Sequence, residues 1–136
     1  MTLVQLINPP TLYDPVANGY SHVAVVQTDG VRFVLLAGQG GEDKAGRLAT
    51  DFKTQLRQAM DNLCSALEAA GAKPADVART LVRIVDHTEE RLHLLGAEFE
   101  RIWGPGLKPA CTLVPVPRLA LDGMLFEIEA TAVVRT

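Results

Sequence analysis

Two apolar runs near the start of the chain limit its fold more than any other feature. His22–Thr28 and Val31–Ala37 are dense in Val, Leu and Phe and flank Asp29-Gly30, a pair suited to the positive φ angles of a two-residue hairpin turn. Successive strand residues point to opposite faces of a sheet. Ala24 and Val26 therefore share one face while Val23 and Val25 share the other, and Phe33 and Leu35 oppose Val34 and Leu36. A sheet packed on one side and wet on the other alternates apolar with polar residues. These strands do not, so both faces need cover.

The rest of the chain offers two helices. The first runs roughly from Asp51 to Ala70, with Phe52, Leu56, Met60, Leu63, Leu67 and Ala70 at three- and four-residue steps. Thr50 or Asp51 suits its cap, and Gly71 its end. The second covers about Glu89–Trp103, with Leu92, Leu95, Phe99 and Ile102 on one stripe, Asp86 or Thr88 as cap and Gly104-Pro105-Gly106 as stop. Strands are expected at Leu3–Ile7, Arg79–Val85, Cys111–Val116 and Met124–Val134. After the short first strand, the order is β-β-α-β-α-β-β. It reads as an α+β fold, with two helices on one face of a mixed sheet. The second face is then buried by a loop or terminal strand, or by self-association. An apolar face on a small protein favours the latter, a closed homo-oligomer.

The last strand differs from the hairpin. Phe126, Ile128, Ala130, Ala132 and Val134 make one apolar face, and Glu127, Glu129 and Thr131 lie on the other. If that face is the association face, two carboxylates stand in or beside an interface, where desolvation suits them to proton handling. If the strand end is exposed, both are ordinary solvated residues.

The 136 residues suit one domain spanning 1–136. A net charge of −3, from 13 Lys+Arg against 16 Asp+Glu, speaks against a nucleic-acid module and an anionic-membrane binder. Two cysteines make no disulfide framework. The opening Met1–Gln5 lacks the basic and apolar regions of a secretion signal, and no run approaches a membrane span, so a cytoplasmic protein is expected. Cys64 falls on the buried stripe of the first helix and is expected in the core. His87 and His93 do not have zinc-ligand spacing, so no metal is expected. Trp103 closes the second helix stripe and reads as packing. Asn8–Ser21 and Gln39–Thr50 are long enough to be functional loops. Gly38-Gln39-Gly40-Gly41 lacks the Gly-Lys-Ser/Thr of a phosphate loop and reads as a close backbone approach or a mobile rim.

Several segments together resemble one family. Pro109-Ala110-Cys111-Thr112-Leu113-Val114, Arg118-Leu119 and Glu127-Ile128-Glu129-Ala130 resemble the C-terminal signature of the RidA/YjgF/YER057c/UK114 family. Asn18-Gly19-Tyr20-Ser21-His22 is similar to its glycine-proline-tyrosine-serine loop, and Leu36-Ala37-Gly38-Gln39 to its serine-glycine-glutamine strand end. Gln58–Leu63 followed by Ala69-Ala70-Gly71-Ala72 is similar to its first helix. The resemblance implies a chorismate-mutase-like (ferredoxin-like) domain, and a homotrimer whose sheets form a central barrel with clefts between subunits. It also implies cofactor-free hydrolysis of small 2-imino or 2-enamino acids to 2-keto acids with release of ammonia. Glu127 then aligns with the water-orienting glutamate, Tyr20 with the pocket tyrosine and Gly38 with the backbone-contact glycine.

One departure bears on the chemistry. The deaminating members of the family carry arginine after Pro-Ala, where a guanidinium holds the substrate carboxylate by paired hydrogen bonds. Here the residue is Cys111, which has no positive charge. Three readings stay open. The protein hydrolyses an imine or enamine that is neutral or anchored elsewhere, by Lys108 or by the family-like basic residue Arg118. Alternatively Cys111 is a nucleophile or redox thiol, activated by a partner such as His22. Or the chain is a non-catalytic metabolite-binding or regulatory trimer. The family's proposed ribonuclease role draws no support from the acidic balance and the 5% aromatic content. Candidate site residues are thus Glu127, Cys111, Tyr20, Gly38 and Arg118.

Overall fold

The computed structural model describes residues 2–136. Six strands, β1 (Val4–Ile7), β2 (Val23–Thr28), β3 (Val31–Gly40), β4 (Val77–Val85), β5 (Ala110–Val116) and β6 (Phe126–Arg135), form one sheet in the order β1-β2-β3-β6-β4-β5. Only β4 and β5 pair in parallel; the other neighbours are antiparallel. The last strand to be made is thus inserted between β3 and β4, the centre of the sheet, and β5 is left as an edge.

Helices α1 (Phe52–Ala69) and α2 (Glu89–Trp103) follow the expected positions closely. Their starts are fixed by side chains that take up free backbone N–H groups. The Asp51 carboxylate accepts from Thr54 N at 2.9 Å and the Thr88 hydroxyl from Arg91 N at 3.2 Å. The helix-facing side of the sheet presents Val23, Val25, Val34, Leu36, Val82, Ile84, Phe126 and Ile128, all buried against Leu56, Met60, Leu63 and Leu67 of α1 and Leu95 and Phe99 of α2. No helix among the described residues is long and apolar enough to cross a membrane.

Three expectations need correction. Leu92 is exposed, because the buried stripe of α2 is centred on Leu95 and Phe99. Cys64 is half-buried at the margin of α1, beside the buried Leu63 rather than in its row, and burial raises its thiol pKa. Strand β3 does not stop at Ala37. A bulge between Leu36 and Gln39 lets it continue through Gly40, so Gly38-Gln39-Gly40 is strand and not rim.

The opposite face of the sheet is open in the single chain. Leu6, Phe33, Leu35, Val114 and Val133 are exposed on it. Glu127, Glu129 and Thr131 lie on the same side, opposite the buried Phe126, Ile128, Ala130 and Ala132, as the alternation of β6 requires.

Candidate functional site

Glu127 owes its place to the period of β6. Phe126 and Ile128 go into the core, so the intervening side chain must emerge on the open face. Its neighbour on β4, Arg83, emerges in the same row, donates from Nη1 to Glu127 at 2.8 Å and forms an ion pair with Glu129 through the same nitrogen at 3.0 Å. One guanidinium therefore bridges two carboxylates, and all three are partly shielded from water.

Beside Glu127 the bulged end of β3 brings in glycine for a steric reason. A Cβ on Gly38 would lie 2.3 Å from the Glu127 carboxyl carbon, and one on Gly40 would lie 2.4 Å from a Glu42 carboxyl oxygen. Any larger residue would displace a carboxyl group. The Gly-Gln-Gly segment is thus a backbone cradle for two acids. Its close approach agrees with one of the two readings made from sequence.

A cavity of about 450 Å³ opens here. Glu127, Gly38 and Glu42 line it on one side, Tyr13 and Tyr20 of the N-terminal loop on another, and Leu121 and Met124 of the β5–β6 connection on a third. Glu42 is 3% exposed, and its Oε1 has no hydrogen-bond partner among the described residues. Burial, reinforced by the nearby Glu127 charge and opposed by a backbone hydrogen bond, pushes its pKa from 4.5 up to about 7. Tyr20 is raised to about 12 by burial, with Glu42 and Glu127 adding to the effect. The cavity thus holds one acid that keeps a proton near neutrality beside another fixed to a cation, a combination suited to acid–base chemistry.

Buried polar side chains hold the walls. Asn62 of α1 donates to the Gly40 and Glu42 carbonyls at 3.0 and 2.8 Å. Gln55, two turns earlier, donates to the Ala49 and Gly123 carbonyls at 2.7 and 2.8 Å and accepts from Leu125 N at 2.9 Å. His22 carries the N-terminal loop. Its Nε2 lies 2.8 Å from the Tyr13 carbonyl and its Nδ1 3.2 Å from the Gln39 amide nitrogen, which assigns the proton to Nε2. Burial lowers its pKa against the opposing charge of Asp14, so this ring is a neutral post.

Of the five sequence candidates, Glu127, Tyr20 and Gly38 meet at this cavity. Cys111 and Arg118 do not line it. Cys111 is in register with Thr80, which pairs with Ala130, whereas Glu127 pairs with Arg83. In one chain the thiol and the Glu127 carboxylate therefore point to opposite faces of the sheet. Arg118 is exposed and bonded to Asp122 at 3.0 Å and to the Leu119 carbonyl. Lys108 is held by Glu100 and the carbonyls of Gly104 and Gly106 at the end of α2. Nor is His22 free to activate Cys111, since both its nitrogens are engaged. Glu42 and Arg83 were not read from the sequence. The alternation of Arg79, Leu81 and Arg83 with the buried Thr80, Val82 and Ile84 was a signal for Arg83; Glu42 left none.

Comparison with known proteins agrees with this fold. Residues 12–134 match the family model described as Endoribonuclease L-PSP. The chain is 32% identical over 130 residues to the 2-iminobutanoate/2-iminopropanoate deaminase of Salmonella typhimurium, covering 94% of each protein. It superimposes on the crystal structure of RidA from an Antarctic Psychrobacter with a TM-score of 0.81 at 27% identity, over 96% of this chain and 99% of that one. A Mycobacterium tuberculosis member of the YjgF/YER057c/UK114 family gives 0.74 at 29%, over 96% and 99%. The fold and these likenesses agree, and the chain belongs to the RidA/YjgF/YER057c/UK114 family.

Proposed function

We propose that the protein hydrolyses a small reactive imine or enamine, releasing ammonia, in a cleft completed by assembly into a homotrimer. The observation that carries this reading is the Glu127 carboxylate, fixed by Arg83 and lodged against Gly38 at the wall of a cavity lined by Tyr20. An imine carbon is already electrophilic, so a site need only orient water and move protons. Glu127 orients the water, Gly38 offers its backbone and Tyr20 walls the pocket. None of these roles calls for a cofactor.

The open apolar face supports the assembly, as does the family resemblance. Phe33, Leu35 and Val133 form a patch of the kind that marks interfaces. In this reading the β5 edge, which carries Cys111, closes the cavity of a neighbouring copy, and Cys111 tunes selectivity there. Arg118, tied to Asp122, is kept only as a rim residue. The ribonuclease reading gains nothing from the site, since a phosphodiester would face two glutamates at the cavity wall.

The second reading, a binding or regulatory trimer without turnover, is favoured by one observation: no arginine or lysine among the described residues lines the cavity. Ammonia release from a panel of imines and enamines separates the two readings. Wild type should accelerate at least one panel member, and Glu127→Ala should lose that acceleration. Equal rates for the two proteins would refute the catalytic reading, and ligand-induced thermal stabilisation without turnover would support the other.

A further inference from the structure

Two buried or half-buried carboxyls line one cavity, and the guanidinium nearest to them is already shared. Arg83 forms ion pairs with both Glu127 and Glu129, so one positive charge answers two negative ones before any ligand enters. Glu42 adds a third carboxyl group, with Oε1 unpartnered in the cradle of Gly40. A ligand carboxylate placed beside these would meet like charges and, among the described residues of this chain that line the cavity, no cation, which is unfavourable in a partly desolvated site. A ligand that carries or accepts a proton on nitrogen would meet the opposite.

Resting on the hydrolytic reading above, the geometry points to a substrate without a carboxylate: a small neutral imine or enamine that reacts as its iminium cation. Glu42 is the acid that supplies the proton. Glu42 gives its proton to the imine nitrogen. Water adds to the carbon while Glu127 accepts the proton that water loses, giving a carbinolamine. That proton then passes from Glu127 to the amine nitrogen. The C–N bond breaks, the hydroxyl electrons form the carbonyl, the hydroxyl proton returns to Glu42, and ammonia leaves. Both carboxyl groups end as they began, and imine plus water has become carbonyl plus ammonia.

The charged and titratable groups facing Glu42 are Tyr20 from the N-terminal loop and Glu127 from β6, with Arg83 of β4 behind Glu127. Tyr20 stays protonated across the neutral range. A carboxyl that still holds its proton near pH 7 is suited to the donor role, and Glu127, paired with Arg83, to the acceptor role.

A matched pair of substrates tests the inference. 2-Iminopropanoate and propan-2-imine, each generated in the assay, differ only by a carboxylate in place of a methyl group. Wild type should show kcat/KM at least tenfold higher for propan-2-imine. Glu42→Gln should lower kcat by about a hundredfold and remove the fall in rate as pH rises past about 7. Preference for 2-iminopropanoate, equal use of both, or an unchanged pH profile in Glu42→Gln overturns it. If neither these imines nor any other member of the panel is turned over, the hydrolytic reading fails by itself, and calorimetric titration still decides the ligand class. Isopropylammonium should then bind at least tenfold tighter than pyruvate, and pyruvate binding as tightly, or neither binding, overturns the inference.

Discussion

Replacing Glu42 by glutamine keeps the shape of a buried side chain and removes its ionisation. In the folded chain this carboxyl is shut from water, its Oε1 lacks a partner, and Glu127 lies close by. The pKa rises from an ordinary 4.5 to about 7. A raised folded-state value means that the folded protein holds the proton more tightly than the unfolded chain. Below pH 4.5 both states are protonated and the group costs nothing. As pH climbs from 4.5 to about 7 the unfolded chain is ionised at no cost while the folded one still holds its proton, so stability falls, and it levels off once the folded group ionises. At about 1.4 kcal/mol per pH unit, the rise is worth about 3 kcal/mol. Glutamine cannot ionise, so the stability of Glu42→Gln relative to wild type should increase by about that amount between pH 5 and pH 9. Chemical denaturation of both proteins at several pH values, at one fixed protomer concentration because assembly adds to apparent stability, measures the difference. A difference that stays constant with pH would show that Glu42 ionises normally, and the argument from burial would fail.

Gly38→Ala would put a Cβ 2.3 Å from the Glu127 carboxyl carbon, so turnover should drop at least tenfold, with a stability loss of about 1–3 kcal/mol seen by thermal melting. Asn62→Ala removes both donors to the Gly40 and Glu42 carbonyls and should cost about 1–3 kcal/mol in denaturant titration, with activity falling alongside as the cradle loosens. Leu35→Lys places a charge in the exposed apolar patch; sedimentation should show dissociated chains where wild type shows a trimer, and a clean wild-type monomer at micromolar concentration would remove the assembly reading. Cys111→Arg should improve 2-iminopropanoate turnover only in the assembled protein, because within one chain position 111 faces away from Glu127; a gain that persists in Leu35→Lys/Cys111→Arg would show the opposite.

The parts of this fold legible in the sequence are those where one local rule acts alone. Helix α2 was read to its ends because Thr88 caps it and Gly104 stops it. The exposed side of β6 followed from strict alternation between Phe126 and Thr131. Where two rules compete, the reading failed. The bulge after Leu36 breaks the period of two, and glycine at 38 and 40 mimics a loop although the chain is still paired with β6. Gln55 and Asn62 sit two turns apart on the buried stripe of α1, but their worth depends on loops that reach them from residues 40–49 and 123–125. Glu42 is the extreme case. It is one acidic residue in a polar, glycine-rich stretch, and its burial is created by Gly40, Met124 and Asn62.

The substitution at position 111 and the presence of Arg83 are not one cation moved by a strand. Position 111 shares its row with Thr80 and Ala130, while Arg83 shares its row with Glu127. An arginine at 111 would sit on the exposed edge of the sheet, free of the two glutamates and able to offer both nitrogens to a ligand. Arg83 sits between Glu127 and Glu129 with the bonding of its Nη1 already committed. Its charge is a counter-ion for the site: it pairs with Glu127, while the Glu42 carboxyl beside it has an oxygen without a partner. In the proposed hydrolytic reading, the geometry that moves protons and water is present and the charge that would select an acid is not. In that reading catalytic machinery and substrate choice lie on separate residues, and a likeness in the first does not carry the second with it.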